Sequence, residues 1–339
     1  MNSGSPASSK MSLREAFGRA LVKLKDEFDF VVLDADVAGG TCSKLFHNAC
    51  PERFVQCGVA EQNMFGMAAG LALSGITPIV TTYAVFASMR ALEQVRNSIA
   101  YPNLPVKIAA SHVGVDAGPD GVTHQSIEDL AIFRSLPNFT VLAPCDEVDM
   151  LGALRAALEC EGPVYIRTGR SPVPRILPDG HKFAIGQADI LREGSDVAIA
   201  ATGIMVHRAL KAARLLEDEH GLSARVINFS TIKPIDARTL INSASKTGAV
   251  VVCQDHNIIG GLSEAVAFTL IRRCPVPVEV VAIPDVFGRS GDPAELAERY
   301  GLTSSHIVEA ALRAVDRKLK AGWRKKVAFE RQGCARNRL

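Results

Sequence analysis

The candidate strands in this 339-residue chain are continuous apolar runs rather than alternations of apolar and polar residues. FVVL (30–33), VKIAAS (106–111), FTVLAP (139–144), PVYIR (163–167), DVAIAA (196–201), ARVINF (224–229), AVVVC (249–253) and VEVVAI (278–283) all read this way. A strand that is apolar on both faces has to be covered on both faces, which points to a parallel sheet flanked by helices. Helical patterns fill the gaps, at about 13–27, 61–73, 86–99, 146–160, 204–219, 236–243 and 261–272, with two more near the C-terminal end. The first opens with Ser12-Leu13-Arg14-Glu15, a capping box in which hydroxyl and carboxylate satisfy orphan helix amides. Residues 171–187 interrupt the rhythm, with Pro172, Pro174, Pro178 and Gly180 close together, and read as a linker. The expected fold is therefore α/β: two doubly wound domains with mostly parallel sheets, at 11–172 and 188–318. They are joined by a linker at 173–187, preceded by a disordered Ser-rich leader (1–10) and followed by a basic tail (319–339).

Composition removes several functional classes. Lys plus Arg is 38 and Asp plus Glu is 36, a net charge of +2, so bulk charge does not drive nucleic-acid binding. From Arg317 onward there are nine basic residues and one acid, a surplus of eight, which leaves the body at −6; such a basic tail is either a solvated terminus or a contact for an acidic partner or nucleic acid. Between Glu61 and Arg90 lie 28 uncharged residues, long enough to span a bilayer, but Ser74, Gly75, Thr77 and Pro78 divide them into a helix, a turn and a strand. No membrane span is expected. The eight cysteines form no C-x-x-C pair, and Cys42, His47, Cys50 and Cys57 lack zinc-site spacing, so no metal is expected there. Free thiols and the lack of an apolar leader core point to the reducing cytoplasm.

In open parallel sheets, ligands bind beyond the carboxyl ends of the strands. After Phe54-Val55-Gln56-Cys57 comes GVAEQNMFGMAAG (58–70), which places Glu61 at a strand-to-helix junction in an otherwise uncharged window. As a lone carboxylate it would be desolvated and stay protonated near neutral pH; as a first-turn acid it would simply complement the helix dipole. The residues alone leave both open. After VKIAAS come His112 and the loop GPDGVTHQ (118–125), which carries Asp120 and His124; after PVYIR come Arg167 and Arg170, suited to phosphate or carboxylate. GxGxxG, GxxxxGK[ST], GxSxG and HExxH motifs are absent, which removes the usual support for dinucleotide, P-loop, α/β-hydrolase and zincin chemistry.

GVAEQNMFGMAAG, TTYAVF, GPDGVTHQ, APCDEVD and PVYIRTGR, followed by DHNIIGGLSEAV (255–266) and FGRSGDPAELAERYGLT (287–303), stand in an order that resembles transketolases and 1-deoxyxylulose-5-phosphate synthases over about residues 12–315. The resemblance implies a pyrimidine-binding domain and a transketolase C-terminal domain, working with thiamin diphosphate. The diphosphate-binding domain, with its Gly-Asp-Gly and downstream Asn, has no counterpart here. The chain thus resembles the C-terminal half of a split transketolase. A separate N-terminal subunit would bind the diphosphate and Mg2+, and the two would assemble as an α2β2 heterotetramer. By position, the resemblance implies that Glu61 hydrogen-bonds the aminopyrimidine ring nitrogen and acts catalytically by shifting its proton, that Phe86 stacks on the pyrimidine, and that Tyr83 is a second aromatic beside it. It also implies that His112 and Arg170 bind a sugar phosphate, and that Asp120 and His124 hold substrate hydroxyls and move protons, His124 as a catalytic residue. Met89 departs from the polar or aromatic residue common at its position. The expected reaction is transfer of a two-carbon ketol unit from a ketose phosphate to an aldose. The β subunit of a 2-oxo acid dehydrogenase, a 1-deoxyxylulose-5-phosphate synthase-like carboligase and a non-catalytic partner subunit are the alternatives.

Overall fold

The structure, a computed structural model, describes residues 10–322. The expected leader, except Lys10, and the basic tail from residue 323 lie outside the described residues. Fourteen strands occur in chain order among them: β1 (Lys10–Ser12), β2 (Phe30–Asp34), β3 (Phe54–Gln56), β4 (Thr77–Tyr83), β5 (Lys107–Ser111), β6 (Thr140–Leu142), β7 (Val164–Thr168), β8 (Pro172–Pro174), β9 (Asp189–Arg192), β10 (Val197–Ala201), β11 (Ala224–Asn228), β12 (Thr231–Lys233), β13 (Val250–Asn257) and β14 (Val278–Ile283). A seven-stranded sheet runs β12-β6-β7-β5-β4-β2-β3, and a five-stranded sheet runs β14-β13-β10-β11-β9. All pairings within them are parallel except those of β12 with β6 and β9 with β11. Every residue of β5, β7, β10 and β11 is buried, as the unbroken apolar runs require.

The two sheets share one interior. Residues from helices Glu61–Leu73 (Met64, Phe65), Asp129–Ser135 (Leu130, Phe133) and Gly261–Arg273 (Leu262, Val266) form a single apolar cluster with Val80 and Ile108 of the large sheet and Ala198 and Val252 of the small one. Helices Leu13–Leu24 and Glu147–Glu159 cover the outer face of the large sheet, and Met205–His220 and Ser304–Lys320 that of the small one. The halves are thus welded across a helical middle layer.

Three local features differ from the expectations. Lys10 belongs to β1, which pairs with β8 beside and inside the expected linker, so both segments are ordered by pairing with each other. Strand β12 comes from the second half in sequence but pairs with β6 at the edge of the first-half sheet. The expected regular helix at 86–99 is built from two π-helical segments, Phe86–Arg90 and Val95–Ala100, around the short turn Leu92–Gln94. Ser12 caps its helix as expected, with Oγ accepting from the Glu15 amide at 3.3 Å.

Arg167, read from sequence as a possible anion-binding group, is instead fully enclosed. Its Nε and Nη2 donate to the two carboxylate oxygens of Asp129 at 2.7 and 3.0 Å. Its Nη1 donates to Asp255 Oδ1 at 2.6 Å, and Nη2 also reaches the Asp255 carbonyl oxygen at 3.1 Å. Burial works against its charge, but Asp129 and Asp255 hold the guanidinium firmly protonated. Removing the cation strands two buried carboxylates. Arg167→Leu should therefore cost about 3–5 kcal/mol, read as a lowered urea midpoint; a midpoint within error of wild type would show that the clamp contributes nothing.

Candidate functional site

Strands β7, β5 and β4 are neighbours, so the residues after their carboxyl ends emerge side by side. Tyr83 ends β4, His112 follows β5, and Arg170 lies two residues past β7. The loop after β5 folds back on itself, with the Gly114 amide donating to the Ser126 carbonyl and the Ser126 amide to the His112 carbonyl, which returns Asp120 and His124 to the same edge. Gly114 is required for this reversal: its φ is +59° and a Cβ would collide with the Asp255 carbonyl oxygen.

The rings assemble into one cluster. Tyr83 lies 3.9 Å from His112, 5.9 Å from Phe86 and 5.7 Å from His124, centroid to centroid, and Phe86 meets His124 edge-on at 5.5 Å. His112 Nε2 is 3.2 Å from Asp120 Oδ2, and Arg170 Nη1 donates to the same oxygen at 3.1 Å and to the Ala117 carbonyl. Asp120 therefore bridges a histidine and an arginine. Asp116, missed in the sequence, fixes the strand end that carries Arg170 by accepting from the amides of Arg170 and Ser171 at 2.6 and 2.7 Å. A cleft of about 650 Å³ opens beside Arg170 and is also lined by Arg14, Ser12 and Lys10. Arg14 was likewise missed, because its sequence context advertises only a helix start. Its charge acts on Tyr83 and His112.

Glu61 opens helix Glu61–Leu73 and is 2% exposed, but it is not a lone carboxylate. Arg90 Nη1 reaches its Oε2 at 2.7 Å, and the same guanidinium lies 4.1 Å over the Phe86 ring. The uncharged window in the sequence hid this pair. The wide π turn, closed by the Ala91 amide on the Phe86 carbonyl, puts Phe86 and Arg90 on one face and returns Arg90 to the start of the neighbouring helix. Met89 is exposed on the same turn.

His112 is buried with φ +63°, a left-handed conformation that costs a non-glycine residue about 1–3 kcal/mol. Hydrogen bonds hold it at both ring nitrogens, Nδ1 to Ser111 Oγ at 2.9 Å and Nε2 to Asp120. The Asp120 carboxylate accepts, so the neutral ring carries its proton on Nε2 and Nδ1 accepts from the Ser111 hydroxyl. Burial pushes its pKa down to about 4 despite the opposing pull of Asp120.

Two family models cover this architecture: the transketolase pyrimidine-binding domain over residues 9–175, and the transketolase C-terminal domain over residues 186–307. The chain belongs to the transketolase family. It is 43% identical, over 90% of its length and 95% of the relative's, to the 6-deoxy-6-sulfo-D-fructose transketolase subunit SqwH of Clostridium sp. strain MSTE9. It is 35% identical, over 91% of its length and 99% of the relative's, to one of the subunits of the apulose-4-phosphate transketolase of Phocaeicola vulgatus. Among solved structures, a split gene transketolase described as an inactive beta4 tetramer superposes with a TM-score of 0.85 at 48% identity, covering 91% of this chain and 99% of that one. The match to these separate subunits is thus nearly end to end. Among the described residues, no helix is long and apolar enough to cross a membrane.

His207 and His256 share the condition of His112, each pushed to about 4 chiefly by burial. A histidine held below its unfolded value of about 6.5 is neutral in the folded chain, while the unfolded chain takes up the proton. Stability should thus be fully present above about pH 6.5 and fall as the pH drops toward 4, with a slope approaching about 1.4 kcal/mol per pH unit for each such histidine. Thermal denaturation at pH 8, 7, 6 and 5 measures this; a Tm unchanged from pH 8 to 5 would contradict it.

Proposed function

We propose that this chain is the subunit of a thiamin diphosphate-dependent transketolase that carries the pyrimidine half of the cofactor site, working with a separate N-terminal subunit that binds the diphosphate and Mg2+. The observation that carries the reading is the convergence, at one sheet edge, of a buried carboxylate (Glu61), an aromatic pair (Tyr83 and Phe86) and a polar set (His112, Asp120, His124 and Arg170). The subunits named among its relatives, which it spans almost end to end, support the split arrangement. An α2β2 assembly in the cytoplasm is the corresponding proposal for the working enzyme, with neither membrane nor nucleic acid as a partner.

These residues fit the pyrimidine end of the cofactor: the aromatic faces of Phe86 and Tyr83 and the Glu61 carboxylate would hold it. When bound, the cofactor supplies the nucleophilic carbon that breaks and remakes a carbon–carbon bond next to a ketone. Glu61 hydrogen-bonds a ring nitrogen and exchanges a proton there. Arg90 now covers both Glu61 and Phe86. Its side chain is 44% exposed, so it would have to swing outward to free both for the cofactor. Neutral His112, locked by Ser111 and Asp120, offers its Nε2 proton to a sugar oxygen. His124, on the loop side of the cluster, accepts or returns a hydroxyl proton as the substrate bond changes. Arg170 and Arg14 flank the cleft and supply two cationic forks for the terminal phosphate of a ketose. That anionic end and the hydroxyl-binding set favour a sugar phosphate over the substrates of a 2-oxo acid dehydrogenase.

Two measurements test this. The purified chain should show no ketol transfer until an N-terminal transketolase subunit is added, since the charges of diphosphate and metal have to be neutralised together; full turnover by the chain alone would overturn the split reading. Arg170→Ala should raise KM for a phosphorylated ketose about ten- to a hundredfold, through loss of charge-assisted hydrogen bonds of about 1.5–3 kcal/mol each. It should leave KM for hydroxypyruvate nearly unchanged. Equal losses on both substrates would remove Arg170 from phosphate binding.

A further inference from the structure

Away from the cofactor edge, three segments meet where the two halves join. Asp149 comes from helix Glu147–Glu159, His181 from the segment between β8 and β9, and Asp189 from the start of β9. One ligand atom from each lies within 4.8 Å of the other two. Asp149 is fully buried, whereas His181 and Asp189 have side chains 14% and 32% exposed, so the cluster is closed at its base and open to solvent at its mouth.

The hydrogen bonding at the base is incomplete. Asp149 Oδ2 accepts from the Cys145 amide, Ser230 Oγ and Asn228 Nδ2, yet its Oδ1 has no partner. The fully buried Cys145 thiol also hydrogen-bonds the Asp149 carboxylate, but a thiol is only a weak donor. Asn228 is also fully buried and touches the Asp149 carboxylate, and its Oδ1 too has no partner. Among the described residues no Lys or Arg is paired with Asp149; His181, 3.5 Å from Asp189 Oδ2, is the basic group at the mouth. Two carboxylates around one imidazole make a donor set rich in lone pairs and short of positive charge. Buried polar atoms left in that state cost about 1–3 kcal/mol each.

We propose that Asp149, His181 and Asp189 bind a divalent transition-metal ion that staples the linker to both halves of the molecule. Oxygen ligands with one imidazole suit Mn2+ or Zn2+ and give Mg2+ no comparable advantage. The role is structural. The site lies on the linker between the halves, apart from the residues placed at the cofactor edge, and it is independent of the proposed function.

The test uses the full chain, stripped with EDTA and titrated with Mn2+, which avoids the thiol binding that complicates Zn2+. Free Mn2+ is read by electron paramagnetic resonance, in the presence of excess Mg2+. The expected result is one Mn2+ per chain, a rise in Tm on saturation, and binding weakened about tenfold or more in both His181→Ala and Asp189→Asn. The metal-free Tm of each variant serves as the folding control, because both side chains sit at the open mouth. Absence of stoichiometric Mn2+ binding to the wild-type chain overturns the proposal whatever the variants do. So does binding that both folded variants retain at wild-type strength, which would mark the metal as adventitious.

Discussion

A single guanidinium ties the halves of this molecule together at depth. Arg167 projects from β7, binds both oxygens of Asp129 in its own half, and reaches across to the side chain and carbonyl of Asp255 on β13. Two carboxylates around one buried cation leave little freedom in the angle between the sheets. Tyr165 adds its hydroxyl to Asp129 at 2.7 Å, and the adjoining apolar cluster extends through both sheets. The loop that carries Asp120 and His124 leans on this clamp, since Gly114 packs directly against Asp255.

The polar and aromatic cluster at the strand ends inherits its rigidity from the same source. Tyr83, His112 and Arg170 stand at or just past three adjacent strand ends, and the backbone strain at His112 persists because both ring nitrogens are held. Asp120 is the pivot, shared by His112 and Arg170. Asp116 fixes the Arg170 backbone from below. Glu61 approaches from the far side of the cluster, joined to it through Arg90 and Phe86. Most of these groups are already paired within the chain itself, so the cluster is pre-ordered rather than loose.

The sequence was most legible where the physics is local. Unbroken apolar runs located most of the strands, because burial on both faces leaves a direct compositional trace. The Ser12 cap was legible for the same reason, as were the positions of His112 and Arg170 just after strand ends. Strands β1, β8, β9 and β12 were not, since each is short and is stabilised by a partner distant in sequence. The π turn at Phe86–Arg90 left no signal either, because propensity does not distinguish an extra residue per turn.

Charge pairing shows the division most sharply. The 28 uncharged residues between Glu61 and Arg90 made the glutamate look isolated, and PVYIRTGR made Arg167 and Arg170 look alike. By itself the sequence determined the α/β class, the family and the set of polar residues near strand ends, all of which depend on residue type and spacing. Only the tertiary structure decided which charge meets which. Arg90 returns to Glu61 through a widened helical turn, Arg170 stays at the cleft, and Arg167, three residues earlier, points into the interior and is consumed by Asp129 and Asp255. Strand alternation and the packing of two sheets set those directions, and neither can be read from the spacing of charges along the chain.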